Sequence, residues 1–400
     1  MKTKNFLTYS TIATTLIVGL SVNSVNAPKV SAEQPFKASA QQPQKWALVE
    51  DALKEGVKAG APGFIAQAWD HGELKTSVAG VANLTTQNPM KQDFQFRIGS
   101  ITKTFVATVI LQLVGEGRMN LDDSVNKWLP GRVKGNGFDG NKITIRQLLN
   151  HTSGIADYEK DITTDKTDKQ FLKDRLKVYK TSDLIKIGLS HKPVNKPGEA
   201  WSYSSTGYLL LGMIIEEATG KPYAKEIENR ILKPLRMHDT YLPGTSTSFK
   251  GKNHARGYYQ LKDKKTLVDV TNTNPSMAGA SGEMISSTRD LNRFYSLLLR
   301  GVLLQPEQMK QMFNTVEATK GEAADVNWGL GIAEVRFKNG EPYWGHGGGF
   351  PGATSWAGGS RDGRHVMTVY SNVSNMDPDF SSMAEMSALI AEFSYAPLSR

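Results

Sequence analysis

The chain has 400 residues and no cysteine, and its 48 basic and 39 acidic residues give a formal charge of +9. A hydrophobic fraction of 39% with 22% charged residues is ordinary globular usage, which excludes a disordered, collagen-like or coiled-coil chain. The missing cysteines exclude disulfides, thiolate metal sites and a cysteine nucleophile.

Lys2 and Lys4 precede an apolar, hydroxyl-rich run from Phe6 to Leu20, and Val30-Ser31-Ala32 places small residues at a cleavage position. This layout predicts a signal peptide over residues 1–32, cleaved after Ala32, and hence a secreted, extracellular protein. The run is short and rich in Thr and Ser for a membrane-spanning helix. Cleavage removes Lys2, Lys4 and Lys29 and no acid, leaving +6, a charge that serves solubility and allows weak cell-wall association. Basic and acidic residues alternate from Asp161 to Lys180, and no zinc-finger or RNA-binding pattern occurs, so no nucleic-acid partner is expected.

Residues 33–44 are polar and rich in Gln, Ala and Pro, and read as a flexible mature N-terminus. Trp46, Val49, Leu53 and Val57 recur at helical spacing. Gly63 to Trp69 and Glu73 to Ala82 read as strands around an Asp70-His71-Gly72 turn, and Phe94, Phe96 and Ile98 as a further short strand. Helices are predicted from Ser100 to Gly115, Ile145 to Asn150, Ser182 to Leu189, Tyr208 to Thr219 and Asp290 to Leu299, with a charged surface insertion from Lys160 to Lys180. Strands return at Trp328 to Phe337 and Glu341 to Gly345 around Lys338-Asn339-Gly340, and at Ala353 to Ser360 and Arg364 to Asn372 around Arg361-Asp362-Gly363. Ser382 to Ser394 closes the chain as a helix. Strands at both ends of a helical middle predict an α+β fold: a sheet lobe from about 45–98 and 325–400, and an inserted helical lobe from about 99–324.

Three segments carry chemistry. Ser100 opens a helix, near unpaired N–H groups, and Lys103 lies one turn on along the same face, which suits a serine nucleophile and an amine that takes its proton. Ser124 and Lys127 repeat the spacing, but Ser124 follows Leu121-Asp122-Asp123 and reads as a helix cap. Tyr203-Ser204-Ser205 puts a tyrosine on a loop where, beside Lys103, it is a second candidate base. His346-Gly347-Gly348-Gly349 follows the strand ending at Gly345; its glycines are open to a substrate backbone and to an oxyanion, with a glycine-rich turn and a solvated histidine as the alternative. No Gly-x-Ser-x-Gly elbow occurs, which argues against an α/β-hydrolase. The other histidines lack metal-ligand spacing, and His151, in Asn150-His151-Thr152-Ser153-Gly154, reads as a structural loop residue.

In this order the segments resemble the penicillin-recognising serine hydrolases, in the branch of class C β-lactamases, DD-carboxypeptidases, D-stereospecific peptidases and related esterases. The likeness rests on Phe96 to Lys103, Ile143 to Gly154, Pro197-Gly198 through Tyr203-Ser204, and Trp344 to Gly348. It is nearest to the secreted alkaline D-peptidases of bacilli. It implies a β-lactamase/transpeptidase-like fold, with Ser100 as acylated nucleophile, Lys103 and Tyr203 managing its proton, and His346 supporting Tyr203 and the leaving group. It also implies an oxyanion hole from the N–H groups of Ser100 and Gly349, and substrate contacts at Ser205, Gly347 and Gly348. No metal or organic cofactor is implied. The substrate implied is a D-amino-acid-containing peptide, with β-lactams as acylating ligands. Two positions depart from the pattern. Ser205 stands where the tyrosine motif usually ends in Asn, and Gly347 lacks the hydroxyl that carboxypeptidases of the branch often carry there. A DD-carboxypeptidase or an esterase, and a penicillin-binding wall protein with little turnover, are the alternatives on the same scaffold.

Overall fold

The computed structural model describes residues 42–163, 166–320, 324–337, 340–374 and 381–393. The expected signal peptide, most of the polar stretch after it and the Lys338-Asn339 turn lie outside these residues. The first helix, α1, already begins within the expected flexible stretch and spans Gln42–Lys58.

The frame is an eight-stranded antiparallel sheet. Its strands are β1 (Gly63–Asp70), β2 (Glu73–Gly80), β3 (Val316–Thr319), β4 (Ala324–Trp328), β5 (Ala333–Phe337), β6 (Tyr343–Phe350), β7 (Ala353–Gly359) and β8 (His365–Ser371), in the order β2-β1-β8-β7-β6-β5-β4-β3. The N-terminal hairpin therefore joins the C-terminal strands through β1 and β8, in register from Phe64 opposite Ser371 to Asp70 opposite His365. Strand β1 is buried on both faces because it is central. Phe64, Ala66 and Ala68 point to an outer layer made by α1 and the last helix, α5 (Ser381–Phe393), while Ile65 points inward. The outer layer is close-packed: a Cβ on Gly56 of α1 would lie 2.6 Å from the Phe64 ring and 2.7 Å from Ala384.

The inner face carries the helical residues. Helix α2 (Thr102–Gly115) is apolar nearly all round, and eleven of its fourteen residues are buried, as expected for a helix surrounded by protein. Helix α3 (Ser205–Thr219) packs beside it, starting from Ser204, whose Oγ accepts from Gly207 N, and ending at Gly220 in the left-handed region. Helix α4 (Thr288–Leu299) lies on the sheet itself, against β1, β7 and β8. One hydrophobic core consequently runs from Ile65 and Val366 of the sheet through Phe105 and Leu209 of the helices. The helical middle also holds short strand pairs, such as Tyr258–Gln260 with Leu267–Asp269. Ser124 caps the short helix Val125–Trp128, as its sequence context indicated, by accepting from Lys127 N.

Candidate active site

Ser100 sits in a 3₁₀ turn, Gly99–Ile101, that leads into α2. Gly99 has φ +49°, and a Cβ there would lie 2.3 Å from the carbonyl oxygen of Gly349, so only glycine allows this turn to press against β6. Ser100 is partly exposed, whereas Lys103 is completely buried. The Lys103 Nζ donates to Ser100 Oγ at 3.0 Å, Ser205 Oγ at 3.1 Å and Ser281 O at 2.8 Å, which uses all three of its protons. Burial drives its pKa down to about 8, against the opposing charges of Glu159 and Asp157.

Tyr203 lies on the loop before α3. His151 holds that loop twice: its carbonyl accepts from Ser202 N at 2.8 Å and its Nδ1 from Ser204 N at 3.1 Å. The Tyr203 ring covers the Lys103 ammonium, with Nζ 4.9 Å from the ring centroid. Burial holds the Tyr203 phenol well above its usual pKa, with the nearby Glu159 and Asp157 charges adding to this and a hydrogen bond with Ser100 opposing it. Ser205, fully buried at the first turn of α3, fills the position where the resemblance leads one to expect Asn, and its hydroxyl reaches Lys103.

His346 to Gly349 are not a turn after a strand. They are the second half of β6, and the turn falls at Pro351-Gly352. Residues 343–345 of β6 pair with β5, while 346–350 pair with β7 on the other side, so the edge of this half facing Ser100 lies outside the β5 ladder. Glycine is required here for packing. A Cβ on Gly348 would lie 2.0 Å from Ile98 O, and one on Gly347 would meet the Trp356 ring at 3.0 Å. The direction a side chain would take at 347 is thus occupied by indole.

His346 is buried, its Nδ1 contacts Gly347 O, and its Nε2 has no partner. Burial and the Lys103 charge push its pKa down to about 3, so it is a neutral imidazole. It cannot stabilise developing negative charge as a cation, which narrows the supporting role expected of it. The ring instead stands edge-on to Trp328, centroids 5.2 Å apart, and 6.4 Å from Tyr203.

His151, expected as a structural loop residue, does hold the Tyr203 loop, and it is also a buried part of this site, 4.3 Å from the Tyr203 ring and 5.1 Å from Trp328. Burial holds it neutral, with its pKa well below the usual value. Asp157 and Glu159, a few residues on, were missed, although both act on Lys103. The only sequence signal was their nearness to the His-Thr-Ser-Gly segment.

A serine whose hydroxyl touches a buried, easily neutralised amine, beside a free strand edge, is equipped for acyl transfer. Residues 48–392 match the β-lactamase family. The chain belongs to that family. This β-lactamase-family chain is 31% identical to penicillin-binding protein 4* of Bacillus subtilis over 305 residues, 73% of this chain and 64% of that protein. It is 33% identical to protein flp of Staphylococcus aureus over 228 residues, 57% of this chain and 43% of flp. The matches thus span less than two thirds of these relatives' lengths. Among solved structures, a D-stereospecific amidohydrolase from Streptomyces sp. superposes with a TM-score of 0.80 at 41% identity, covering 88% of this chain and 99% of that one. D-amino acid amidase from Ochrobactrum anthropi SV3 gives a TM-score of 0.76 at 28% identity, covering 87% of this chain and 98% of that one. The comparisons thus agree with the fold and place the Ser100–Lys103 pair in a chain of β-lactamase type.

Among the described residues, folding also assembles one group with metal-ligand character that linear spacing hid: Asp70, His365 and Glu392, at the far end of β1 and β8. Lys75 Nζ lies 3.5 Å from Asp70 and 3.7 Å from Glu392 and supplies a cation to both carboxylates. The group reads as an ion-pair network that ties α5 to the sheet.

Proposed function

We propose that the protein is a secreted serine hydrolase that cleaves peptides containing D-amino acids through an ester on Ser100. The observation that carries this reading is the fully buried Lys103 amine, 3.0 Å from Ser100 Oγ, with a pKa near 8. Neutral Lys103 takes the Ser100 proton as Oγ bonds to the substrate carbonyl carbon. The carbonyl oxygen becomes an oxyanion facing the N–H groups of Ser100 and Gly349. The scissile C–N bond then breaks as the leaving amine receives a proton through Lys103 and Tyr203. Water, giving its proton to Lys103, hydrolyses the ester and restores Ser100. Lys103 is the base in this scheme because burial lowers its pKa while raising that of Tyr203.

The preference for D-residues is supported by the likeness to the D-stereospecific amidohydrolase. Residues 1–32 support secretion, and the surplus of basic residues is compatible with weak attachment to an anionic wall. Gly347, crowded by the Trp356 ring, offers no hydroxyl to hold a terminal carboxylate, which favours internal cleavage over carboxypeptidase action. The test is a digest of a D-Phe oligomer, its L counterpart and an acyl-D-Ala-D-Ala acid by residues 33–400, read by mass spectrometry with a Ser100→Ala control. Ser100-dependent internal cleavage of the D-Phe oligomer alone is expected. Release of D-Ala alone would make the protein a carboxypeptidase.

The likeness to penicillin-binding protein 4* carries a second reading, acylation with little turnover. In that case intact mass would show a lasting penicilloyl adduct on Ser100 and no peptide product.

A further inference from the structure

Two carboxylates that the mechanism does not use face the catalytic lysine. Asp157 Oδ1 accepts from Ser205 N at 3.3 Å and from Glu159 N at 3.2 Å, and Ser205 Oγ is itself an acceptor for Lys103. Glu159 Oε1 lies 3.4 Å from Ser281 Oγ, and the Ser281 carbonyl is the closest acceptor for Lys103. The two acids thus stand one residue behind two of the three groups that hold the amine. Both are partly exposed and lie on the segment that follows the His151 loop.

We propose that Asp157 and Glu159 are positioning residues whose charges oppose loss of the Lys103 proton, and so set the pH at which Ser100 becomes a nucleophile. The inference rests on Lys103 being the base for Ser100.

The remaining groups around the amine do not supply this charge. From the 3₁₀ turn that leads into its own helix comes the Ser100 hydroxyl. From the loop before α3 and from α3 come Tyr203, Ser205 and Tyr208, and from the segment before α4 comes Ser281. Tyr158, Tyr203 and Tyr208 are phenols kept protonated by burial. His151 and His346 are neutral and buried. Asp157 and Glu159 are therefore the charges that oppose desolvation of Lys103. They also repel each other: burial and the Glu159 charge raise Asp157 to about 6, while Lys103 pulls it down. Replacing either acid with its amide keeps a hydrogen-bond acceptor in place and removes one negative charge. The ammonium then loses support, and Lys103 becomes neutral at lower pH.

The experiment measures labelling of Ser100 by a small fluorophosphonate as a function of pH, read by intact mass. In that step the Oγ–P bond forms, the P–F bond breaks, fluoride leaves and the Oγ proton passes to Lys103. Wild-type labelling should rise sigmoidally with pH, and Ser100→Ala should not label. Asp157→Asn and Glu159→Gln should each move the midpoint down by half a pH unit or more, and the double variant further. One unit below the wild-type midpoint, each single variant should label about threefold faster, with plateau rates within about twofold of wild type. Midpoints that stay in place or move up in folded variants overturn the proposal, as does the absence of wild-type labelling at any pH. If one variant fails to fold, the other still gives the midpoint. Labelling does not depend on the peptide substrate, so a chain that labels as described yet cleaves no D-peptide refutes the proposed function and leaves this inference standing.

Discussion

Lys103 shows at a single residue how function opposes stability. A fully buried amine with three hydrogen-bond acceptors still loses its proton more readily than in water, because desolvation outweighs the two acids behind it. Its folded-state pKa of about 8 is below its ordinary value of 10.5, so below pH 8 the folded chain carries a charge that water would solvate better. Below that pH its full destabilisation applies, and it is relieved as pH rises from about 8 to 10.5. Lys103→Met should therefore abolish hydrolysis, by about a thousandfold or more, while leaving the midpoint of thermal unfolding at pH 7 unchanged or raising it by a few degrees. Calorimetry alongside a Ser100 acylation assay checks both; a marked fall in the midpoint would show that the lysine stabilises the fold. The Ser100–Lys103 contact was legible in the sequence because hydroxyl and amine lie on one helical turn. The place of His151 in the site was not, because it depends on Tyr203 and Trp328, which are distant in the chain.

Among the elements, α5 carries the clearest dependence on pH. Glu385 is buried against β7, accepts from Thr354 Oγ1, and is raised by burial to about 8. A carboxyl group with a folded pKa above its ordinary 4.5 is protonated in the native state where the unfolded chain is ionised. Stability is therefore present in full below about pH 4.5 and is lost as pH rises toward 8. Glu385→Gln keeps an acceptor for Thr354 and removes the titration. In urea unfolding, the variant should gain on wild type by about 1 to 3 kcal/mol between pH 5 and pH 8. An equal pH dependence in both proteins would exclude Glu385 as the cause. Strand β6 makes a different point about elements. Its Gly347-Gly348-Gly349 run looks like a turn in sequence because glycine is common in turns. Here glycine serves a strand: the Ile98 backbone leaves no room for a side chain at 348 and the Trp356 ring crowds 347, while 349 is open.

At the scale of the molecule, the sheet and the helices share a core, and the described residues form one compact unit. Helix α4 comes from the helical middle of the chain, yet it packs on β1, β7 and β8. The two parts of the fold therefore should not unfold separately. A single calorimetric transition, with van't Hoff and calorimetric enthalpies in agreement, is expected for residues 33–400. Two resolved transitions would show that the helical part has a stability of its own.

The sequence alone determined what local spacing and periodicity encode: the amphipathic first helix, the β1–β2 hairpin, the Ser124 cap, and the Ser100–Lys103 pair on one helical turn. The ordered motifs along the chain were enough to name the family and the α+β class. Tertiary structure decided whatever depends on groups that are far apart in the chain. It joined β1 to β8, made β6 a strand with a free half-edge, and put neutral histidines around Tyr203. It also set Asp157 and Glu159 behind the lysine. The physical reason is that hydrogen bonds within a turn follow from sequence spacing. Desolvation and charge–charge coupling depend on distances between side chains, and those exist only once the chain has closed on itself.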